Sequence, residues 1–125
     1  DARTLRRYVT KLQSLGVPMR VVYLSNAEQY WPYSQVYRDN LRSLPFDEKS
    51  QIIRTLSTFT INKDYRYNLQ RGQLYQAWLA KPSMKHVHQL VKRRKLKGPD
   101  DIEFLVTDSD PAQVEAAKKP KGKGK

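Results

Sequence analysis

The stretch Met19–Ser25, MRVVYLS, constrains the fold more than any other part of the chain. It is a nearly continuous apolar run of strand length, the pattern of a strand covered on both faces. It breaks off at Ser25-Asn26. The next eight residues, Ala27 to Ser34, hold an acid, an amide and three aromatic rings. Packing alone does not require that crowding, so the end of this strand is the first place to look for a site.

The surrounding periodicities supply its partners. Leu5, Tyr8, Val9, Leu12 and Leu15 recur at helical spacing, and Gly16 and Pro18 end that helix. Ser34 is placed to cap a second helix in which Val36, Tyr37, Leu41 and Leu44 face inward, stopped by Pro45. SQIIRTLS, Ser50 to Ser57, reads as a second strand. Strand, helix and strand at this spacing predict a parallel βαβ unit with a right-handed crossover. DYRYNL then alternates, with Tyr65, Tyr67 and Leu69 on one face, and Leu74, Tyr75, Trp78 and Leu79 share one side of a short helix. Ser83 is placed to cap a basic amphipathic helix along Met84, Val87, Leu90 and Val91, and DIEFLVT reads as a late strand. From Asp108 the chain has few apolar residues to offset the entropy of ordering, which predicts a disordered Lys-rich tail over 108–125 behind one domain over 1–107.

The 125 residues fall within the size of one domain. Lys and Arg number 24 against 12 Asp and Glu, a net charge of +12, which favours acidic partners such as nucleic acid. Residues 1–80 and 81–125 each hold 12 basic and 6 acidic side chains, so the second part is the more basic per residue. With no Cys, disulfides, thiolate metal sites and cysteine nucleophiles are excluded, and a reducing, cytoplasmic setting is the expectation. No apolar run approaches the roughly 20 residues that span a membrane.

The order of these features resembles the middle of class I, Rossmann-like methyltransferases, in which the fourth strand ends in a short polar motif beside the methyl donor. The closest likeness is to an uncharacterised bacterial family of that type with a Tyr-Leu-Ser-Asn-Ala-Glu-x-Tyr signature. It is matched here by Tyr23, Leu24, Ser25, Asn26, Ala27, Glu28 and Tyr30, then by the Arg54-Thr55 strand and Tyr67-Asn68. The resemblance spans roughly residues 3–80. It implies an α/β fold, a partial Rossmann-like sheet with flanking helices, and S-adenosylmethionine as cofactor of the parent fold. It also implies catalytic roles for Asn26, Glu28 and Tyr30 and substrate contacts from Ser25, Trp31, Tyr33 and Arg54. The departure is as informative. Such proteins hold the donor with a Gly-rich turn after the first strand and an acid after the second. The five glycines, Gly16, Gly72, Gly98, Gly122 and Gly124, form no such turn. The chain therefore reads as a C-terminal half that does not bind the donor alone, with a missing N-terminal half or self-association completing it.

Residue chemistry leaves other readings open. Asn26 either contacts a ligand or caps the strand-to-helix turn, and the aromatics either line a cleft or cover the sheet edge. Arg54, inside an apolar strand, either faces a ligand or pairs with a carboxylate such as Glu28; an unpaired buried Arg is rare, which favours the pair. His86 and His88 are two apart, which on a helix points them to nearly opposite sides, so no metal site is expected. Lys92, Arg93, Arg94, Lys95 and Lys97, with the Lys-rich C-terminus, suit phosphate contacts without sequence preference. The resulting function classes are a fragment of a methyltransferase-like protein, a non-catalytic binding or scaffold module, and a nucleic-acid-associated protein.

Overall fold

The computed structural model describes residues 2–57, 65–91, 95–96, 104–106 and 109–118. Helix α1 (Ala2–Ser14) leads into strand β1 (Val21–Tyr23), helix α2 (Gln35–Arg42) and strand β2 (Gln51–Ser57). Strand β3 (Tyr65–Arg71) runs directly into helix α3 (Gly72–Leu79). A single turn, α4 (His88–Val91), short strands β4 (Lys95–Leu96) and β5 (Phe104–Val106), and helix α5 (Pro111–Lys118) follow. The fold is mixed α/β.

Among the described residues five strands form one sheet in the order β1-β2-β3-β5-β4. The β1–α2–β2 unit is parallel, with Val22 opposite Ile52. Its ladder runs past β1: Leu24 N donates to Ile53 O at 2.9 Å and Thr55 N to Ser25 O at 2.9 Å. Strand β3 returns antiparallel to β2, β5 runs parallel to β3, and β4 pairs antiparallel with β5.

Local chemistry accounts for the boundaries. Gly16 takes φ +63°, the left-handed conformation that ends helices such as α1 at low steric cost. Ser34 Oγ accepts from Tyr37 N at 3.2 Å, the predicted cap of α2, a contact worth about 1 kcal/mol. At the start of α3, a Cβ on Gly72 would meet Phe46 ring carbons at 2.8 and 2.9 Å. Glycine is what lets α3 approach the turn before β2.

The core lies on one side of the sheet. Ile52 and Leu56 of β2 pack with Leu41 and Leu44, with Tyr75, Trp78 and Leu79 of α3, and with Met84, Val87 and Leu90. Val9 anchors α1 to this cluster, while Tyr8 and Leu15, predicted to face inward with it, are 65 % and 60 % exposed. Val36 is likewise exposed. Its neighbour Arg38 is buried in its place and donates through Nη1 to the carbonyls of Leu79 at 2.7 Å and Lys81 at 3.1 Å, and through Nη2 to that of Met84. One guanidinium thus satisfies the Leu79 carbonyl that the end of α3 leaves open and ties α2 to the segment that follows it.

Three further expectations are corrected. Among the described residues the helix expected after Ser83 is only the turn α4, because the Gln89 side chain holds a loop before it. It accepts from Lys85 N at 2.6 Å and His86 N at 3.0 Å and donates to Ser83 O at 3.1 Å. The tail expected to be disordered from Asp108 contains α5. Asp110 Oδ1 accepts from Ala112 N at 2.8 Å, Pro111 is buried, Val114 packs on the core, and Trp78 Nε1 donates to Ser109 O at 2.6 Å. Residues 119–125 of that tail lie outside the described residues. Finally, β1 is covered on one face only: Val22 and Leu24 pack on the core, whereas Val21 and Tyr23 are each 57 % exposed.

Candidate functional site

The residues after β1 divide into a buried cluster and an exposed one. Ser25 makes the division. Its φ of 51° is in the left-handed region, uncommon for a residue with a side chain, and it turns the chain off the sheet into a 3-10 turn at Ala27–Gln29.

The buried cluster centres on Glu28, 1 % exposed. Glu28 Oε2 accepts from Arg54 Nε at 2.5 Å. Glu28 Oε1 accepts from the phenols of Tyr33 at 2.6 Å, Tyr75 at 2.6 Å and Tyr37 at 3.0 Å. Tyr37 and Tyr75 also touch through their hydroxyls at 2.7 Å, so one phenol proton is shared between two acceptors. Arg54 Nη1 donates to Gln70 Oε1 at 3.0 Å and Asn68 Oδ1 at 3.4 Å, both on β3. Among the described residues Arg54 Nη2 finds no acceptor, but the guanidinium lies 4.9 Å from the centre of the Tyr75 ring, whose face takes part of the charge. The Tyr33 ring stacks on Tyr37 at 5.0 Å and meets Tyr75 edge-on at 6.4 Å.

The charges are fixed by these contacts. Burial pushes the Glu28 carboxyl up, and the Arg54 charge with the phenol hydrogen bonds outweighs it, so Glu28 ends below the ordinary carboxylate value. Burial and the Glu28 charge push Tyr33, Tyr37 and Tyr75 well above the ordinary phenol value. Glu28 is therefore an ion with both oxygens engaged, and the three phenols keep their protons. Both oxygens are buried away from solvent. The arrangement ties five parts of the fold together: the loop, α2, β2, β3 and α3.

The exposed cluster holds the other predicted residues. Asn26, half-buried, makes no side-chain cap and instead donates through Nδ2 to Tyr30 Oη at 3.1 Å. Tyr30 is 67 % exposed and Trp31 is exposed beside it, their rings 6.5 Å apart. Ser25 is exposed as well. The Tyr23 hydroxyl contacts Thr55 Oγ1 at 3.4 Å, and hydrogen bonds from Thr55 and Ser25 draw its phenol below the ordinary value. The residues to which the resemblance gave site roles are thus divided: Glu28 and Tyr33 turn inward with Arg54, while Asn26 and Tyr30 stay outside.

Strand β3 carries the feature that sequence reasoning missed. Its buried residues are Asn68 and Gln70, 1 % and 0 % exposed, and its outward residues are Tyr67, Leu69 and Arg71. The strand buries its polar face because Arg54 needs acceptors there. The register then sets Tyr67 beside Thr55 and Leu69 beside Ile53, with Ile53 beside Tyr23 on β1. An alternating tyrosine strand next to a buried-Arg strand is the signal that, read together, points to this inversion.

The remaining candidates lie elsewhere. The rings of His86 and His88 stack at 4.5 Å, with His88 N donating to His86 Nδ1 at 3.3 Å; His86 precedes α4, so the argument from opposite helix sides does not apply. Among the described residues no three His, Cys, Asp or Glu side chains gather where a metal ion could sit. Lys95 lies on β4, and Lys92, Arg93, Arg94 and Lys97 lie outside the described residues. Among the described residues no helix is long and apolar enough to cross a membrane. No curated protein matches the chain. Residues 1–108, which take in the whole buried network and every strand, match a family model described as a domain of unknown function, DUF7790, and the chain belongs to that family.

Proposed function

We propose that this chain is a non-catalytic binding module that presents the outer face of its sheet to a partner. The observation that carries the reading is the inverted strand β3, which buries Asn68 and Gln70 and turns Tyr67 and Leu69 outward. Burying polar side chains while exposing aromatic ones runs against the usual order, and an exposed apolar patch rimmed by polar residues marks an interaction surface. Val21, Tyr23, Ile53 and Thr55 extend the same face across β1 and β2. The buried network supports the reading from the other side. Glu28, the acid that the methyltransferase resemblance would make catalytic, has both oxygens occupied and serves to hold the sheet in shape. Photo-crosslinking amino acids placed at Tyr23 and Tyr67, in cells that carry the protein, test it. Both should capture a defined partner, while the same probe at the exposed Tyr8 of α1 should not. Equal capture from all three positions, or none from the sheet, would overturn the reading.

A second reading, a C-terminal half of a Rossmann-like methyltransferase-type domain, draws support from the parallel β1–α2–β2 unit and from Ser25-Asn26 at its carboxyl end, where such sheets place ligands. On that reading S-adenosylmethionine belongs to the parent fold. Calorimetry with the donor should give no micromolar complex with this chain, which lacks the glycine turn.

A further inference from the structure

We infer that the occupant of the open sheet face is single-stranded nucleic acid, its bases stacked on Tyr23 and Tyr67 and its phosphates met by the basic end of the sheet. The inference rests on the binding-module reading and names its partner. Flat aromatic faces standing on a sheet are the means by which proteins hold unpaired bases without reading their sequence, provided that positive charge lies alongside for the backbone.

Both conditions meet here. Tyr23 is 57 % exposed and Tyr67 48 % exposed. They stand on β1 and β3, two strand spacings apart and offset by two residues along the strands, roughly 12 Å in all. Between them β2 presents Ile53 and Thr55 on the same face. The Tyr23 hydroxyl contacts Thr55 Oγ1 on the neighbouring strand, which restrains its side chain. Beyond the carboxyl end of β1, Tyr30 and Trp31 add two more exposed rings.

An exposed cation stands on the same face. Arg71 is exposed at the end of β3, in register with Gln51 and so on the Tyr67 side. At the far edge, Lys95 of β4 is in register with Val106 of β5, which is in register with Leu69. Lys95 therefore occupies a position in the row that contains Tyr23, Ile53 and Leu69. In sequence it sits within KRRKLK, five cations in six residues, in a chain of net charge +12. Duplex DNA or RNA hides its base faces and would use only the charge, so the platform selects for unpaired strands. The aromatic surface also argues against an acidic protein as partner, which would engage the cations and leave the tyrosines idle.

The test is fluorescence anisotropy of the full 125-residue chain with labelled 12-nucleotide oligouridine and oligothymidine, and with a 12-base-pair duplex. The single strands should bind more tightly than the duplex. Tyr23→Ala and Tyr67→Ala should each weaken single-strand binding roughly tenfold while leaving the duplex unchanged, as loss of one stacked base would. Because phosphate contacts remain, the dependence on salt should keep its slope in these variants. In Lys95→Ala the slope should fall by about 0.7, the value for one lost contact to a single strand. Both tyrosines are exposed, so far-ultraviolet circular dichroism should show unchanged folding, and Tyr8→Ala is the control. Equal affinity for duplex and single strands with no effect of the tyrosine variants would overturn the inference and leave a purely electrostatic run. Absence of binding at low salt would overturn it too. If crosslinking from Tyr23 and Tyr67 still captured a protein, the binding-module reading would stand without its nucleic-acid partner.

Discussion

Glu28 and Asn26 lie two positions apart in one polar loop, and the fold puts them to opposite uses. Among the described residues the Asn26 side chain bonds to the exposed Tyr30, so Asn26→Ala should change stability by no more than about 0.5 kcal/mol, the usual range away from buried networks. Glu28→Gln keeps the shape but leaves the Arg54 charge buried without its counter-ion, and breaking a buried pair in this way costs about 3–5 kcal/mol. Urea denaturation of both variants checks the contrast; comparable losses would mean that the loop is not divided as described. The pair also sets a dependence on pH. Glu28 titrates below its unfolded value of about 4.3, so its contribution is fully present above that pH. It is lost as pH falls through the folded value, because protonation then removes the charge that Arg54 requires. The urea midpoint should therefore drop below about pH 4 in the wild type, and Glu28→Gln should lack that part of the drop. A wild-type profile parallel to that of the variant would show that Glu28 is not the titrating group.

At the level of elements, the legible parts of the sequence were those set by nearby residues. The Ser34 cap, the stop at Gly16 and the parallel pairing of β1 with β2 follow from local spacing, and the Glu28–Arg54 pair follows from the need of a buried Arg for a carboxylate. The three phenols on Glu28 come from positions 33, 37 and 75 and depend on how α2 and α3 cross the sheet, which no local pattern encodes. Helix α5 escaped for the same reason. Its sequence is polar, and what holds it is a distant partner: the Trp78 indole, which needs an acceptor once buried and finds Ser109 O. Val114 and the Lys81–Glu115 ion pair, 2.8 Å long, add to the seat. Removing residues 109–125 should uncover Trp78, which is 5 % exposed in the intact chain. In a Trp31→Phe background, where Trp78 is the sole indole, truncation should shift the emission to the red. An unshifted spectrum would mean that α5 does not cover it.

For the molecule as a whole, the open face and the charge pull in opposite directions, and salt separates them. The face exposes Val21 and Tyr23 on β1, an edge strand in the described sheet, and Tyr67 on β3. An edge strand beside apolar surface invites pairing with a second copy. Against this, two chains of net charge +12 repel each other. That repulsion reaches about 10 Å at 0.1 M salt and only about 3 Å at 1 M, whereas burial of apolar surface does not weaken as salt rises. Self-association should therefore increase with salt, while binding to nucleic acid decreases with it, since phosphate neutralisation releases counter-ions. Sedimentation equilibrium should show a monomer near 0.1 M sodium chloride and a rising average mass toward 1 M. Val21→Lys, which places a charge on both the face and the edge strand, should abolish the rise without altering the fold. A mass that is constant across this range in the wild type would show that the face is not adhesive by itself and that charge has to draw its partner in. A dimer that persists at 0.1 M would instead make a second copy the resident of the sheet.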